Sequence, residues 1–91
     1  MHYIYIPKSI TAKTLYIGRT DNLENRLQQH NSGDTFTTKK YLPWVFVYCE
    51  GYFDIEDAKH REHTLKQFGR VYSQLKRRIE RSLRSAEKVR G

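Results

Sequence analysis

Apolar and polar positions alternate at the start of the chain. Tyr3-Ile4-Tyr5-Ile6 is aromatic and β-branched with a period of two, the pattern of a strand that gives each residue type its own face. Pro7 is expected to close it. Thr14-Leu15-Tyr16-Ile17-Gly18 has the same character after a short polar connection, which predicts an antiparallel hairpin. The period then becomes helical. Thr20, Asp21 and Asn22 supply capping side chains for a helix over residues 23–30, ended by Asn31 and Gly33. Residues 32–40 read as a loop rich in Thr and Lys. Trp44-Val45-Phe46-Val47-Tyr48-Cys49 is the most apolar run and the expected central strand, with Trp44 in the core and Cys49 a buried, inert thiol. Phe53 and Asp54 look like staple and cap for a helix over 55–68, ended by Gly69. From Val71 to about Arg90 there is no Gly or Pro, and Leu75, Ile79 and Leu83 recur every four residues. That predicts one further helix. The expected fold class is α/β: a small three-stranded antiparallel sheet flanked by helices, in the order β-β-α-β-α with a C-terminal basic helix. Residues 1–75 form the expected domain and 76–91 a helical extension.

Composition narrows the class. The chain has 91 residues, 37% hydrophobic and 30% charged, with 5 Gly and 2 Pro. This is a globular balance with room for one modest core. No apolar run approaches the roughly 18 residues of a membrane span, and no basic stretch followed by a long apolar one opens the chain. A single cysteine cannot pair internally, which fits a reducing, cytoplasmic setting. No membrane partner is expected. Lys and Arg number 17 against 10 Asp and Glu, a net +7, and basic domains of this size commonly bind nucleic acid. The excess is concentrated at one end: residues 76–91 hold 7 basic and 2 acidic residues.

Three local oddities raise the possibility of chemistry. Tyr5 and Tyr16 fall on strand positions that one antiparallel register would turn to the same side; ordinary half-buried aromatics would look alike. In the first helix, Leu23, Arg26, Leu27 and His30 share one sector about 100° wide, so an arginine and a histidine sit inside the apolar stripe. Arg26 could simply snorkel, and His30 could simply face the helix dipole. In the second helix, Glu62 shares the sector of Ile55, Ala58, Leu65 and Phe68. A carboxylate there must be paired, protonated or bound to a cation. Arg26 and Arg61 are the expected ion-pair partners if its role is structural. His60, Glu62 and His63 superficially suggest zinc, but His60 lies about 160° around the helix from Glu62.

These pieces together resemble the GIY-YIG endonuclease superfamily. The resemblance runs from Tyr3-Ile4-Tyr5 through Tyr16-Ile17-Gly18-Arg19-Thr20, Asn22-Leu23, Arg26 and His30-Asn31-Ser32-Gly33. It continues through Thr38-Lys39-Lys40-Tyr41 and Pro43-Trp44 to Ala58, Arg61-Glu62 and Leu65-Lys66. It is closest to the small, single-domain bacterial branch, and more distant from the catalytic domain of the excision-repair nuclease UvrC. Tyr3 stands where the family's first glycine would be, and the asparagine that many members carry after the glutamate helix has no clear counterpart.

The resemblance implies a divalent-metal-dependent endonuclease that hydrolyses phosphodiester bonds in DNA, with a structure-specific or a repair or recombination role as the expectation. In that reading Glu62 binds Mg²⁺ or Mn²⁺, Tyr16 is the general base, and Tyr5 positions water or phosphate. Arg26 neutralises charge developing on phosphorus, and His30 orients a tyrosine or accepts its proton. An ordinary tyrosine, with a pKa near 10, is a poor base at neutral pH, so these residues make sense only as a set. Arg19, Lys39, Lys40, Lys66, Arg77, Arg81 and Arg84 are the expected nucleic-acid contacts. A protein partner is expected to supply substrate targeting. The alternatives are a non-catalytic nucleic-acid-binding module on the same scaffold and, resting on the basic tail alone, a protein-interaction adaptor.

Overall fold

The computed structural model describes residues 1–33 and 39–88. The expected Thr38 motif position and the tail's Arg90 lie outside the described residues. Strand β1 (His2–Ser9) is flanked by β2 (Gly18–Thr20) and β3 (Trp44–Tyr52) in an antiparallel sheet of order β2-β1-β3. Helix α1 (Leu23–Asn31) follows β2, a 3-10 turn (Lys39–Tyr41) precedes β3, and α2 (Ile55–Gln67), α3 (Gly69–Arg78) and α4 (Glu80–Lys88) complete the chain. The α/β class with a three-stranded antiparallel sheet is as the sequence implies.

Several boundaries differ, each for a tertiary reason. The central strand is β1, not the more apolar β3, because β1 alone is paired on both sides. Pro7 does not end β1. Its missing N–H falls where the β1–β3 register shifts between Ile6 and Pro7, and a bulge tolerates it. The second strand begins at Gly18 rather than Thr14; upstream only Leu15 keeps a single bridge, to Lys8. The intervening connection is held by Ser9, whose hydroxyl oxygen accepts from the Thr11 and Ala12 N–H groups at 3.2 and 3.0 Å. Gly69 starts α3 instead of ending α2. The stop is at Phe68, where the backbone becomes extended (φ −116°, ψ 97°).

The tail is two helices, not one, bent at Ile79 (φ −109°, ψ 23°). Residues four apart drift by about 40° per step around a straight helix. The bend keeps Leu75, Ile79 and Leu83 on one core.

Directly opposed residues of an antiparallel pair share a face, so the register sorts the side chains. Tyr5 faces the same side as its partners Gly18 and Cys49, whereas Ile4 and Ile6 face the other side with Arg19, Glu50 and Tyr48. The second side is the hydrophobic core: Ile4, Ile6 and Ile17 pack with Ala58, Leu65, Leu75 and Ile79 from the three C-terminal helices. Of the described α-helices, α1 covers the first side. At nine residues, α1 shields Tyr5, Phe46 and Trp44 but not the far end of β3. Cys49 is therefore exposed rather than buried, while Trp44 is core as expected, 3% exposed. Phe53 is 90% exposed and forms no staple; Ile55 and Phe68 are also exposed, so Ala58 and Leu65 alone form the buried contact of α2. Among the described residues no helix is long and apolar enough to cross a membrane.

Candidate active site

The strand pattern buries Tyr5 completely, and α1 brings two side chains to its hydroxyl. Asn22 caps α1, its side chain accepting from the Asn25 N–H at 3.0 Å. Asn31 clamps the other end to β3: its Nδ2 donates to the Trp44 carbonyl at 2.9 Å and its Oδ1 accepts from the Trp44 N–H at 2.6 Å. With α1 held at both ends, Arg26 and His30, one turn apart, both face the sheet. Arg26 Nε donates to the Tyr5 hydroxyl at 2.9 Å, and the same hydroxyl lies 2.8 Å from His30 Nε2. Arginine has donors only. The Tyr5 oxygen accepts from Arg26, and a neutral imidazole pairs with the same hydroxyl through Nε2, as donor or acceptor according to its tautomer.

The electrostatics agree with that assignment. His30 is fully buried. Burial, and secondarily the Arg26 charge, push its pKa down to about 4, so it is neutral at neutral pH. The Tyr5 pKa is raised, chiefly by burial, against the opposing pull of the Arg26 hydrogen bond. Tyr5 is thus a neutral phenol, a positioning group rather than a base. Arg26 is held more firmly protonated, first by its bond to Tyr5 and also through the nearby Tyr16.

Tyr16 is half-buried beside this cluster, its ring centroid 6.5 Å from Tyr5 and 5.6 Å from His30. Its N–H donates to the Pro7 carbonyl at 3.1 Å, which ties it to the strand that carries Tyr5. Gly18 has a defined role here. A Cβ at that position would collide with the ring and hydroxyl of Tyr5, so only glycine lets the ring lie across β2.

Glu62 stands apart from this group. Its helix covers the other face of the sheet. Its carboxylate accepts from Arg19 Nε at 3.2 Å and Lys66 Nζ at 3.1 Å, and the side chain is 21% exposed. Neither Arg26 nor Arg61 is its partner; Arg61 pairs with Glu50 on β3. Glu62 still reaches Tyr5 electrostatically, as the smallest of the contributions to its raised pKa. The candidate residues therefore meet around the short β2 edge: Tyr5, Tyr16, Arg26 and His30 from the α1 side, and Glu62 from the α2 side. An open groove of ≈ 400 Å³ runs along that edge, lined by Arg19, Asn22, Asn25, Arg26, Gln29 and Ile55 among others.

The expected nucleic-acid contacts fall into three places. Arg19 and Lys66 adjoin Glu62. Lys39 and Lys40 lie exposed in the 3-10 turn. Arg77, Arg81 and Arg84 lie on α3 and α4, away from the tyrosines. Two positioning residues escaped the sequence reading. Gln29 accepts from Arg26 Nη1 at 3.0 Å and orients the guanidinium; its spacing of three from Arg26 on a helix is the available signal. Phe46 packs on Tyr5 with ring centroids 4.9 Å apart, a contact set by strand register that no local pattern reveals.

The donor set bears on a metal. Among the described residues no three His, Cys, Asp or Glu side chains gather into a ligating group. A half-buried lone carboxylate does fit a magnesium-type ion, which keeps several waters and takes its other ligands from substrate phosphates. Arg19 and Lys66 would then have to release Glu62.

Comparison with known proteins gives a family match: the profile of the GIY-YIG catalytic domain covers residues 1–74. A UPF0213 protein of Staphylococcus haemolyticus is 40% identical over 70 residues, 76% of this chain and 84% of that protein. A UPF0213 protein of the archaeon Natronomonas pharaonis is 34% identical over 71 residues, 77% of this chain and 82% of its own length. One of Clostridium perfringens is 37% identical over 71 residues, covering 77% and 75%. No solved structure gives a significant match.

Proposed function

The chain belongs to the GIY-YIG catalytic domain family, a nuclease-type family acting on nucleic acid, and from that premise we propose that it is a divalent-metal-dependent endonuclease cleaving DNA in the cytoplasm, in repair or recombination. The observation that carries the reading is the Arg26–Tyr5–His30 hydrogen-bonded chain beside Tyr16 and an open groove lined by Arg19 and Arg26. A core with no chemical task would have little reason to bury an arginine-tethered tyrosine against a neutral histidine.

Each residue has a distinct task. Arg26, fixed by Tyr5 and Gln29, presents its remaining donors to a phosphate and offsets the charge that builds on its oxygens. Tyr16 takes the proton of the attacking water. Tyr5 and His30 hold Arg26 in place and keep water from the back of the site. Glu62 would hold Mg²⁺ or Mn²⁺, which when bound supplies charge neutralisation at the phosphate oxygens. Arg19 and Lys66, freed from Glu62, would contact the backbone as point charges. A protein partner would direct the domain to its substrate.

The test is cleavage of a panel of linear, branched and single-stranded DNA and RNA with Mg²⁺ or Mn²⁺, for wild type, Tyr16→Phe and Glu62→Gln. Both variants should lose cleavage and keep their fold. Glu62→Gln should change stability by less than about 1 kcal/mol, because its ion pairs are partly exposed. A second reading, a non-catalytic nucleic-acid-binding module, is favoured by one observation: both Glu62 oxygens are engaged by cations. Tight binding without cleavage of any substrate, in either metal, would establish it.

A further inference from the structure

The charge of this chain is concentrated on α3 and α4. Residues 69–88 carry seven basic residues and two acidic ones. The inward side of these helices is apolar, with Val71, Leu75, Ile79 and Leu83 on the core. The outward side is basic. Arg70, Arg77 and Arg81 are exposed, and among the described residues none of the three has a hydrogen bond or ion pair. Arg84 is exposed and bonded only to the exposed Glu80. Arg81 and Arg84, three apart on α4, share one side, and Arg77 lies on α3 just before the bend at Ile79.

The position of this surface is as informative as its charge. Both helices cover the Ile4 and Ile6 face of the sheet, and Arg81 lines a groove with Val45, Phe46 and Val47 of β3. The candidate site lies on the opposite edge, along β2, and its tyrosines are on the opposite face. The α3–α4 surface adjoins β3, whereas the candidate site follows β2, on the other side of the central strand.

We propose that the outer face of α3 and α4 is a second nucleic-acid surface, holding a segment of phosphate backbone distinct from the one at the Tyr5 site. The proposal rests on the nucleic-acid reading of that site. A protein partner is the competing occupant, but protein interfaces are anchored by buried aromatic and apolar side chains. Among the described residues the exposed large hydrophobics are Met1, Tyr41, Phe53, Ile55 and Phe68, none of them on α3 or α4. A face of exposed guanidiniums without apolar anchors reads charge alone, which suits a phosphate backbone of any sequence. With two such surfaces the protein holds two arms at once, which selects branched or looped nucleic acid over a single straight duplex.

The experiment uses the full chain with two short duplexes, one labelled with a donor dye and one with an acceptor, in Ca²⁺ so that cleavage does not intervene. Sedimentation gives the stoichiometry. Wild type should bring donor and acceptor together in complexes of one chain and two duplexes. The triple variant Arg77→Glu, Arg81→Glu, Arg84→Glu should hold one duplex, lose the energy transfer, and show a total salt slope smaller by about 3, at roughly 0.9 per phosphate contact. Wild type that binds only one duplex, or a triple variant that still bridges two, overturns the proposal. So does a folded triple variant that loses both single-duplex binding and cleavage, because the two surfaces would then serve one segment. If the reversed charges unfold the helices, the Arg→Gln triple makes the same comparison. Absence of cleavage in every protein, with bridging lost only in the variant, would remove the nuclease reading and leave the second surface standing.

Discussion

The two faces of one strand do opposite work. On one side of β1, Ile4 and Ile6 join an all-apolar cluster built from three helices. On the other, one residue away, Tyr5 is equally buried but is held by a hydrogen-bonded arginine and histidine under the short helix α1. Both sides exclude water. The first uses exclusion for stability, since apolar burial is non-directional and accumulates with area. The second uses it to strengthen directed bonds, whose energy in a dry setting depends on every donor and acceptor being matched. Substitutions on the first face should therefore cost folding, and those on the second should cost function before folding.

The largest effect expected is on the apolar face. Leu65, 1% exposed, cut back to alanine should lower stability by about 2–5 kcal/mol, measured by urea denaturation. A loss under 1 kcal/mol would mean that α2 is not the main cover of the sheet.

Next is the pH response of the polar face. His30 has its folded pKa lowered to about 4, against about 6.5 when unfolded. Between those values the unfolded chain binds the extra proton, so stability is complete above pH 6.5 and falls as the pH drops toward 4. The total loss is about 3 kcal/mol. NMR titration of His30 and the slope of stability between pH 7 and 5 check this. A His30 pKa near 6.5, or an unchanged slope in His30→Gln, would break the contrast between the faces.

Tyr5→Phe comes third. It keeps the ring and removes the hydroxyl, leaving Arg26 Nε and His30 Nε2 unmatched at a cost of about 1–3 kcal/mol. Cleavage should fall far more steeply than stability, because the guanidinium loses its anchor. Retained cleavage would reduce the cluster to a structural one. The smallest effect belongs to Cys49, on the Tyr5 face but beyond the reach of α1. Cys49→Ser should shift stability by less than about 0.5 kcal/mol. A larger change in melting temperature would show that the uncovered end of that face is buried after all.

Much of this architecture is present in local patterns. Period-two alternation in β1 separates Tyr5 from Ile4 and Ile6. Helical period and Asn22 set α1, and with it the pairing of Arg26 and His30 on one side. The appearance of Glu62 among apolar positions of α2 marks a carboxylate that must find cations. These features are legible because each depends on neighbours within a turn or a strand of the chain. Even Gln29 was open to the same arithmetic.

What only the tertiary structure decided depends on contacts between distant residues. The centrality of β1 over the more apolar β3 is a matter of which strand gains two partners. The β2 boundary is set by where β1 offers free ladder groups. Cys49 is exposed because α1 is too short to cover all of β3. Gly69 starts a helix because the chain turns at Phe68, a stop signal read one residue late. The partners of Glu62, Arg19 across the sheet edge and Lys66 one turn along, and the separation of the basic α3–α4 face from the tyrosines follow from how α2 to α4 stack on the sheet. Local propensity is a weak preference of about 1 kcal/mol per residue. Packing, pairing and chain reversal override it whenever the energy of the assembled core is larger.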